Sequence, residues 1–263
     1  MKKRLHFFNH SVGYLISCIQ RIHRIKGGDN IRFPIEKLNP ASKGEKIAGL
    51  IRYEIINGDL KPGEVVSENS IANKYNSSRS PSREALRILQ NEGLLELKRM
   101  GAEIIGVSQK DIEELNDIRY LIESFAMKEC AKQNNDELMA FLQFTVEKMK
   151  IAINNKDASE LALQDTAFHQ AIIKASNHNR IYHLWTSIEK IIITALLIAT
   201  EKRFSTETEG TYKEFLVDSH LNIVDAIKKG DFNEIEDNLQ EHFIDTRATV
   251  KNSVFINNSS IKE

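Results

Sequence analysis

Beyond Ser108 the chain contains no proline, and almost to Val250 its apolar residues return every three or four positions with little strict alternation. That spacing lays one apolar stripe along each of a series of helices and leaves no two-residue period for strands. The C-terminal half is therefore expected to be an all-helical antiparallel bundle. Its helices are placed near residues 111–132, 135–155, 157–176, 179–202, 211–229 and 231–250, with Gly230 turning the last two against each other. The 263 residues leave room for a second domain, and 41 % hydrophobic with 28 % charged residues excludes neither partner from being a soluble globular unit. Two distant cysteines, Cys18 and Cys130, make no metal or redox motif and suit a reducing, cytoplasmic setting.

Charge is unevenly spread. Eight basic and two acidic side chains give +6 over residues 1–40, eleven against nine give +2 over residues 41–110, and the remainder carries −9. The basic end is the one suited to a polyanion. Residues 1–40 read as a basic extension without an assigned role; the apolar run at residues 11–19 is too short to cross a bilayer and has no cleavage pattern after it, so no membrane partner is expected. Residues 251–263 read as a polar tail.

Between them, residues 41–108 change pattern. Ile47, Leu50, Ile51 and Ile55 share one face of a helix over residues 42–57 that Gly58 stops. A Lys61-Pro62-Gly63 turn leads to Ser67, the cap of a short second helix carrying Ile71, Ala72 and Tyr75. After Asn76, Ser80 is placed as the cap of a third helix with Pro81 at its first position, and the helix ends at Gly93. Two short helices joined by about four polar residues, the second opening with Arg79, Arg83 and Arg87, fit a helix-turn-helix whose second helix enters the major groove. Residues 94–98 and 103–107 read as a hairpin around Arg99-Met100-Gly101, a basic wing tip. Arg79, Ser80, Arg83, Arg87, Arg99 and Gly101 are accordingly the candidate DNA-binding residues, with double-stranded DNA as partner. The fold class is mainly α: a winged helix-turn-helix followed at residue 109 by the bundle, which extends to residue 250.

The polar residues on the bundle's stripes carry the second signal. Leu161, Asp165, Phe168, His169 and Ile172 follow one face, so a carboxylate and an imidazole one turn apart point inward. Val217, His220, Val224 and Ile227 form the next-to-last stripe; Ile235, Leu239, His242 and Thr246 form the last. His220 lies ten residues before Gly230 and His242 twelve after it, so antiparallel packing brings them to nearly one height. A single histidine on such a stripe is usually a hydrogen-bonded core residue. Three with an aspartate would be costly in an apolar core, and one divalent cation would satisfy all four. Zinc and nickel suit an imidazole-rich set, and the residues do not separate them. His178 and His183 bracket a helix start and read as surface or capping residues.

Both halves resemble a known family. The stretch IINGDLKPGEVVSENSIANKYNSSRSPSREALRILQNEGLLELKRMGAEIIGV is similar to the N-terminal signature of GntR regulators, although Ser77 and Ser82 stand where valine is usual, implying looser packing beneath the recognition helix. DIEELNDIRYLIESFAMKECA, QDTAFHQAIIKASNHNRIYHLW and DSHLNIVDAIKKGDFNEIEDNLQEHF resemble the FCD domain of one GntR branch. The resemblance implies DNA contacts at Arg79 and Arg83, metal ligands at Asp165, His169, His220 and His242, a carboxylate-type effector beside the metal, and a homodimer. It further implies effector contacts at Arg119, which an i,i+4 pair with Glu123 on the helix surface explains equally well, and at Asn179. The function so implied is an effector-modulated transcription regulator rather than an enzyme. A helical metalloenzyme using the Asp/His site, and a DNA-binding protein with a purely structural metal, are the alternatives.

Overall fold

The structure, a computed structural model, describes residues 35–38, 40–206 and 210–254. Most of the basic extension and the end of the polar tail lie outside these residues. A 3-10 turn at Ile35–Leu38 precedes α1 (Lys43–Asn57), β1 (Val65–Val66), α2 (Glu68–Lys74), α3 (Arg79–Asn91), β2 (Leu95–Lys98) and β3 (Gly101–Ile104). Six helices follow: α4 (Gln109–Ala131), α5 (Asp136–Asn154), α6 (Ala158–Ala175), α7 (Asn179–Thr206), α8 (Gly210–Lys229) and α9 (Phe232–Val254).

Local chemistry sets most boundaries. Ser42 caps α1 by accepting from the Glu45 amide, and Gly58 closes it in the left-handed region at φ 82°. Ser67 and Ser108 open α2 and α4 with reciprocal capping boxes through Ser70 and Asp111. The cap of α3 is Ser78, not Ser80: the Ser82 amide and hydroxyl both reach the Ser78 carbonyl, which places Pro81 third in the helix. Proline is harmless there too, because the first amides of a helix have no internal acceptor. The hydroxyl of the fully buried Ser82 is thereby satisfied, whereas the buried hydroxyl of Ser77 has no partner among the described residues.

The wing is a three-stranded antiparallel sheet in the order β1-β3-β2. Lys98 pairs with Gly101 across a two-residue Arg99-Met100 loop, so β3 starts two residues earlier than the alternation indicates, and β1 adds a strand unmarked in the sequence. Gly101 has φ 150°, and a Cβ there would lie 2.6 Å from the Val66 carbonyl oxygen. A side chain would therefore push β1 and β3 apart.

Ile47, Ile51, Ile71, Leu86, Leu89 and Ile104 centre the core of the reading domain. A second core around Met127, Leu142, Met149, Phe168, Trp185 and Leu239 fills the bundle. A third joins them: Leu50, Tyr53 and Ile56 on the outer face of α1 pack with Ile193, Leu197 and Ile198 of α7, and Ile35 belongs to the same cluster. The end of the N-terminal extension thus contributes to this junction. Tyr53 Oη donates to Glu201 Oε2 at 2.9 Å across it. By length and composition α7 could span a bilayer; here it is the helix on which α1, α6 and α9 pack.

Candidate functional site

Asp165 and His169 lie one turn apart on α6, His220 on α8 and His242 on α9. All four are buried, and one potential ligand atom from each falls within 4.8 Å of the others. The hairpin of α8 and α9 does bring His220 and His242 together, with ring centroids 4.7 Å apart.

The outer nitrogens fix how the rings present themselves. His220 Nδ1 lies 2.7 Å from the Leu216 carbonyl, which only an N–H can approach productively. Ser219 gives its hydroxyl proton to that same carbonyl, so its oxygen, 3.3 Å from His242 Nδ1, accepts from the ring. His169 Nδ1 lies 2.6 Å from Glu123 Oε2, a bent electrostatic contact and not an aligned hydrogen bond. With His220 and His242 each donating from Nδ1, the Nε2 atoms of His169 and His220 are the ring nitrogens that face Asp165. His220 Nε2 is 3.3 Å and His169 Nε2 3.9 Å from the oxygens of Asp165, and neither nitrogen has a hydrogen-bond partner among the described residues. Unprotonated nitrogens facing a buried carboxylate are repelled by it, and either a proton or a divalent cation between them removes that repulsion.

The titration behaviour agrees. Burial would raise Asp165, but the His220 contact and the charges of His169, His220 and Arg119 outweigh it and hold the carboxyl well below its ordinary range. His242 is held well below the usual histidine value, first by burial and then by repulsion from His220 and His169. The site presents an ionised carboxylate and a neutral imidazole, as metal binding requires. These residues fit a divalent cation; Asp165, His169, His220 and His242 would hold it, and it would supply a positive centre for an anion. Burial lifts the Cys130 thiol to about 12, consistent with an inert residue.

Arg119 is 3 % exposed and pairs with Glu123 within the interior, so the i,i+4 pair exists but not on a surface. Its guanidinium lies 4.9 Å from the Phe243 ring centre and gives its Nε–H to Glu123 at 2.9 Å; among the described residues its terminal nitrogens meet no hydrogen-bond acceptor. It lines a pocket with Asn116, Leu115, Ile191, Leu196 and Thr246, the last one turn beyond His242 on α9. Asn179 does not join this group: it is the exposed first residue of α7, outside the pocket lining. His178 accepts from the Ile181 amide and caps α7, and His183 is exposed.

On the reading domain, Arg79, Ser80, Arg83, Arg87 and Arg99 are all exposed. Arg83 is held by Glu68 of α2 through two hydrogen bonds of 2.6 and 2.9 Å, not by the neighbouring Glu84, which accepts from Ser42. That hydrogen bond keeps Glu68 ionised below its ordinary range. Glu92 instead forms a largely buried fork with Arg52, locking α1 against the end of α3.

Glu123 is the interior residue that the sequence left on a surface. Its own stripe carried the signal: Asn116, Arg119, Glu123, Ala126, Met127 and Cys130 share the buried face of α4.

Two family models match the chain: "Bacterial regulatory proteins, gntR family" over residues 43–104 and "FCD domain" over residues 114–245. The gluconate operon transcriptional repressor of Bacillus licheniformis is 35 % identical over 222 residues, covering 84 % of this chain and 90 % of that protein. Its counterpart in Bacillus subtilis (strain 168) is 33 % identical with the same coverage. The solved structure of E. coli McbR/YncC superposes with a TM-score of 0.63 at 21 % identity, over 81 % of this chain and 98 % of that one, a likeness of fold alone. With its helix-turn-helix and wing matching one model and its helical bundle the other, the chain belongs to the GntR family of bacterial regulatory proteins, as a transcriptional regulator with an FCD domain and not an enzyme.

Proposed function

We propose that this GntR-type repressor acts in the cytoplasm as a homodimer on an operator controlling the use of a sugar acid such as gluconate, and that the acid binds beside a divalent cation in the bundle. The carrying observation is one buried place where three imidazoles converge, the Nε2 atoms of His169 and His220 unpartnered among the described residues, beside an arginine whose terminal N–H donors meet no acceptor among those residues. An anion with several oxygens meets both requirements, a carboxylate on the planar guanidinium and oxygens toward the cation. The names of the two Bacillus relatives favour a gluconate operon over other targets.

Arg79, Ser80, Arg83 and Arg87 at the start of α3 serve as major-groove contacts, and Arg99 with Gly101 carries the wing to the adjacent backbone. Two heads are needed for two half-sites, which supports the dimer. The pocket and the reading domain share α7: Ile191, Ile192, Ala195 and Leu196 line one, while Ile193 and Leu197 pack with α1. An acid that favours one setting of α7 over another shifts the heads by its difference in affinity.

A thermal-shift series tests the reading: protein with zinc or with chelator, against gluconate, other sugar acids and neutral xylose, repeated for His220→Ala. A melting-temperature rise with one acid that requires zinc and vanishes in the variant is the expected result. Stabilisation by an acid that ignores both chelator and variant would refute the shared site.

A further inference from the structure

Among the described residues only two carboxylates are buried, Asp165 and Glu123. The first belongs to the candidate metal cluster. Glu123 stands one layer out, on α4: Oε1 accepts from Arg119 Nε at 2.9 Å, and Oε2 lies 2.6 Å from His169 Nδ1, these last two atoms each without an aligned hydrogen bond among the described residues. Neither oxygen touches solvent, since the side chain is 1 % exposed and those of its two partners 3 % and 0 %.

We propose that Glu123 is the positioning residue that sets the tautomer of His169 and ties the arginine of the effector pocket to the metal-binding imidazole. The proposal rests on the metal reading above and deepens it. A guanidinium and an imidazole converge on this side chain, and a carboxylate can offer an acceptor to each. Arg119 has no deprotonated form in a protein, so its Nε–H always claims one oxygen. The other oxygen then favours a proton on His169 Nδ1, which leaves the Nε2 lone pair directed at Asp165 and the cation's seat. A carboxylate behind a ligating histidine both orients the ring and strengthens it as a ligand.

An amide at this position cannot do the same. In Glu123→Gln the single carbonyl oxygen goes to Arg119, whose demand for an acceptor is fixed. The NH2 group then faces His169 Nδ1, which must become the acceptor. The imidazole proton moves to Nε2, the nitrogen nearer Asp165, and blocks the ligand position. Side-chain size is conserved, so the change acts through donor and acceptor identity and leaves the packing alone.

The test reads the tautomer and the affinity separately. In metal-free protein labelled with 15N-histidine, long-range 1H–15N NMR spectra are expected to show His169 as Nδ1–H in the wild type and as Nε2–H in Glu123→Gln. Zinc affinity, measured by competition with a chelator at fixed pH and with no acid present, is expected to fall by about 10–100-fold in the variant. Near-UV circular dichroism checks folding. Should Glu123→Gln fail to fold because Arg119 loses its counter-charge, Glu123→Asp keeps the charge but is one methylene too short to reach both partners, and it too is expected to weaken zinc binding. A wild-type protein that binds no zinc overturns the metal reading itself. An unchanged His169 tautomer, or unchanged zinc affinity in a folded variant of a zinc-binding protein, overturns the role of Glu123 alone.

Discussion

Lowering the pH of the metal-free protein from 6.5 to 5 should destabilise it through His242. In the unfolded chain this imidazole titrates near the ordinary histidine value of 6.5, while in the fold burial, followed by the charges of His220 and His169, holds it well below that. Between the two values the unfolded state takes up a proton that the native state refuses. The stabilising contribution is therefore complete well above pH 6.5 and is lost as the pH falls, with a slope that approaches about 1.36 kcal/mol per pH unit for one such group. Because the unfolded imidazole is only half protonated at pH 6.5, the loss down to pH 5 reaches at most about 1.6 kcal/mol, or roughly 3–6 °C in melting temperature for a chain of this size. Asp165 does not contribute in this window, because its lowered value makes it a stabilising group that is lost only below its ordinary 3.8. Glu189, raised by burial, works in the opposite direction but does so equally in any variant that leaves it untouched. The assay is thermal melting in chelator across that pH range, for wild type and for His242→Leu. The wild-type curve should fall more steeply, so that its stability relative to the variant drops by that amount toward the acid end. Parallel curves would refute the argument, because they would mean that His242 takes its proton as readily inside the bundle as outside.

Two further substitutions probe the reading domain. Arg52→Ala leaves Glu92 almost buried without its forked partner and should cost about 3–5 kcal/mol in chemical denaturation; a loss below about 1 kcal/mol, the range of exposed pairs, would mean that water reaches the carboxylate. Arg83→Ala should weaken binding to a duplex selected by the wild-type protein by about 1–3 kcal/mol if the guanidinium reads a base edge. Fluorescence anisotropy across a salt series separates the modes, because loss of a phosphate contact would instead lower the salt slope by about one.

Local chemistry carried the sequence reading where one residue decides an outcome. Gly58, Ser67 and Gly230 stop, start and turn the chain at the positions their conformational preferences dictate, and the six bundle helices follow from apolar spacing to within a few residues. Ser80 and Ser78 show where that approach fails. Both are good caps ahead of a proline, and the choice depends on which carbonyl the Ser82 amide reaches, a matter of how the turn from α2 closes. β1 was invisible for a related reason: two valines after a turn have no period, and only pairing with β3 makes them a strand.

The candidate site separates two kinds of information. Periodicity established that Asp165, His169, His220 and His242 face inward, and the symmetric distances to Gly230 brought two of them level. Both inferences stay within one helix or one hairpin. Assigning Arg119 and Glu123 required knowing that the buried face of α4 meets α6 at His169, and no spacing within α4 contains that. An i,i+4 pair of opposite charges has the same sequence on a surface and in a core. Its surroundings on the stripe distinguish the cases, since Ala126, Met127 and Cys130 continue the face on which Arg119 and Glu123 lie. A charged pair that interrupts an apolar stripe is under-satisfied by its own helix, because two residues cannot use five guanidinium donors and two carboxylate oxygens on each other. The surplus is left over for other partners, and here one carboxylate oxygen turns to His169 while Arg119, its terminal nitrogens without an acceptor among the described residues, lines the pocket. Ion pairs of this kind, counted for the donors and acceptors they leave over, point from one helix to the partners that its own periodicity cannot name.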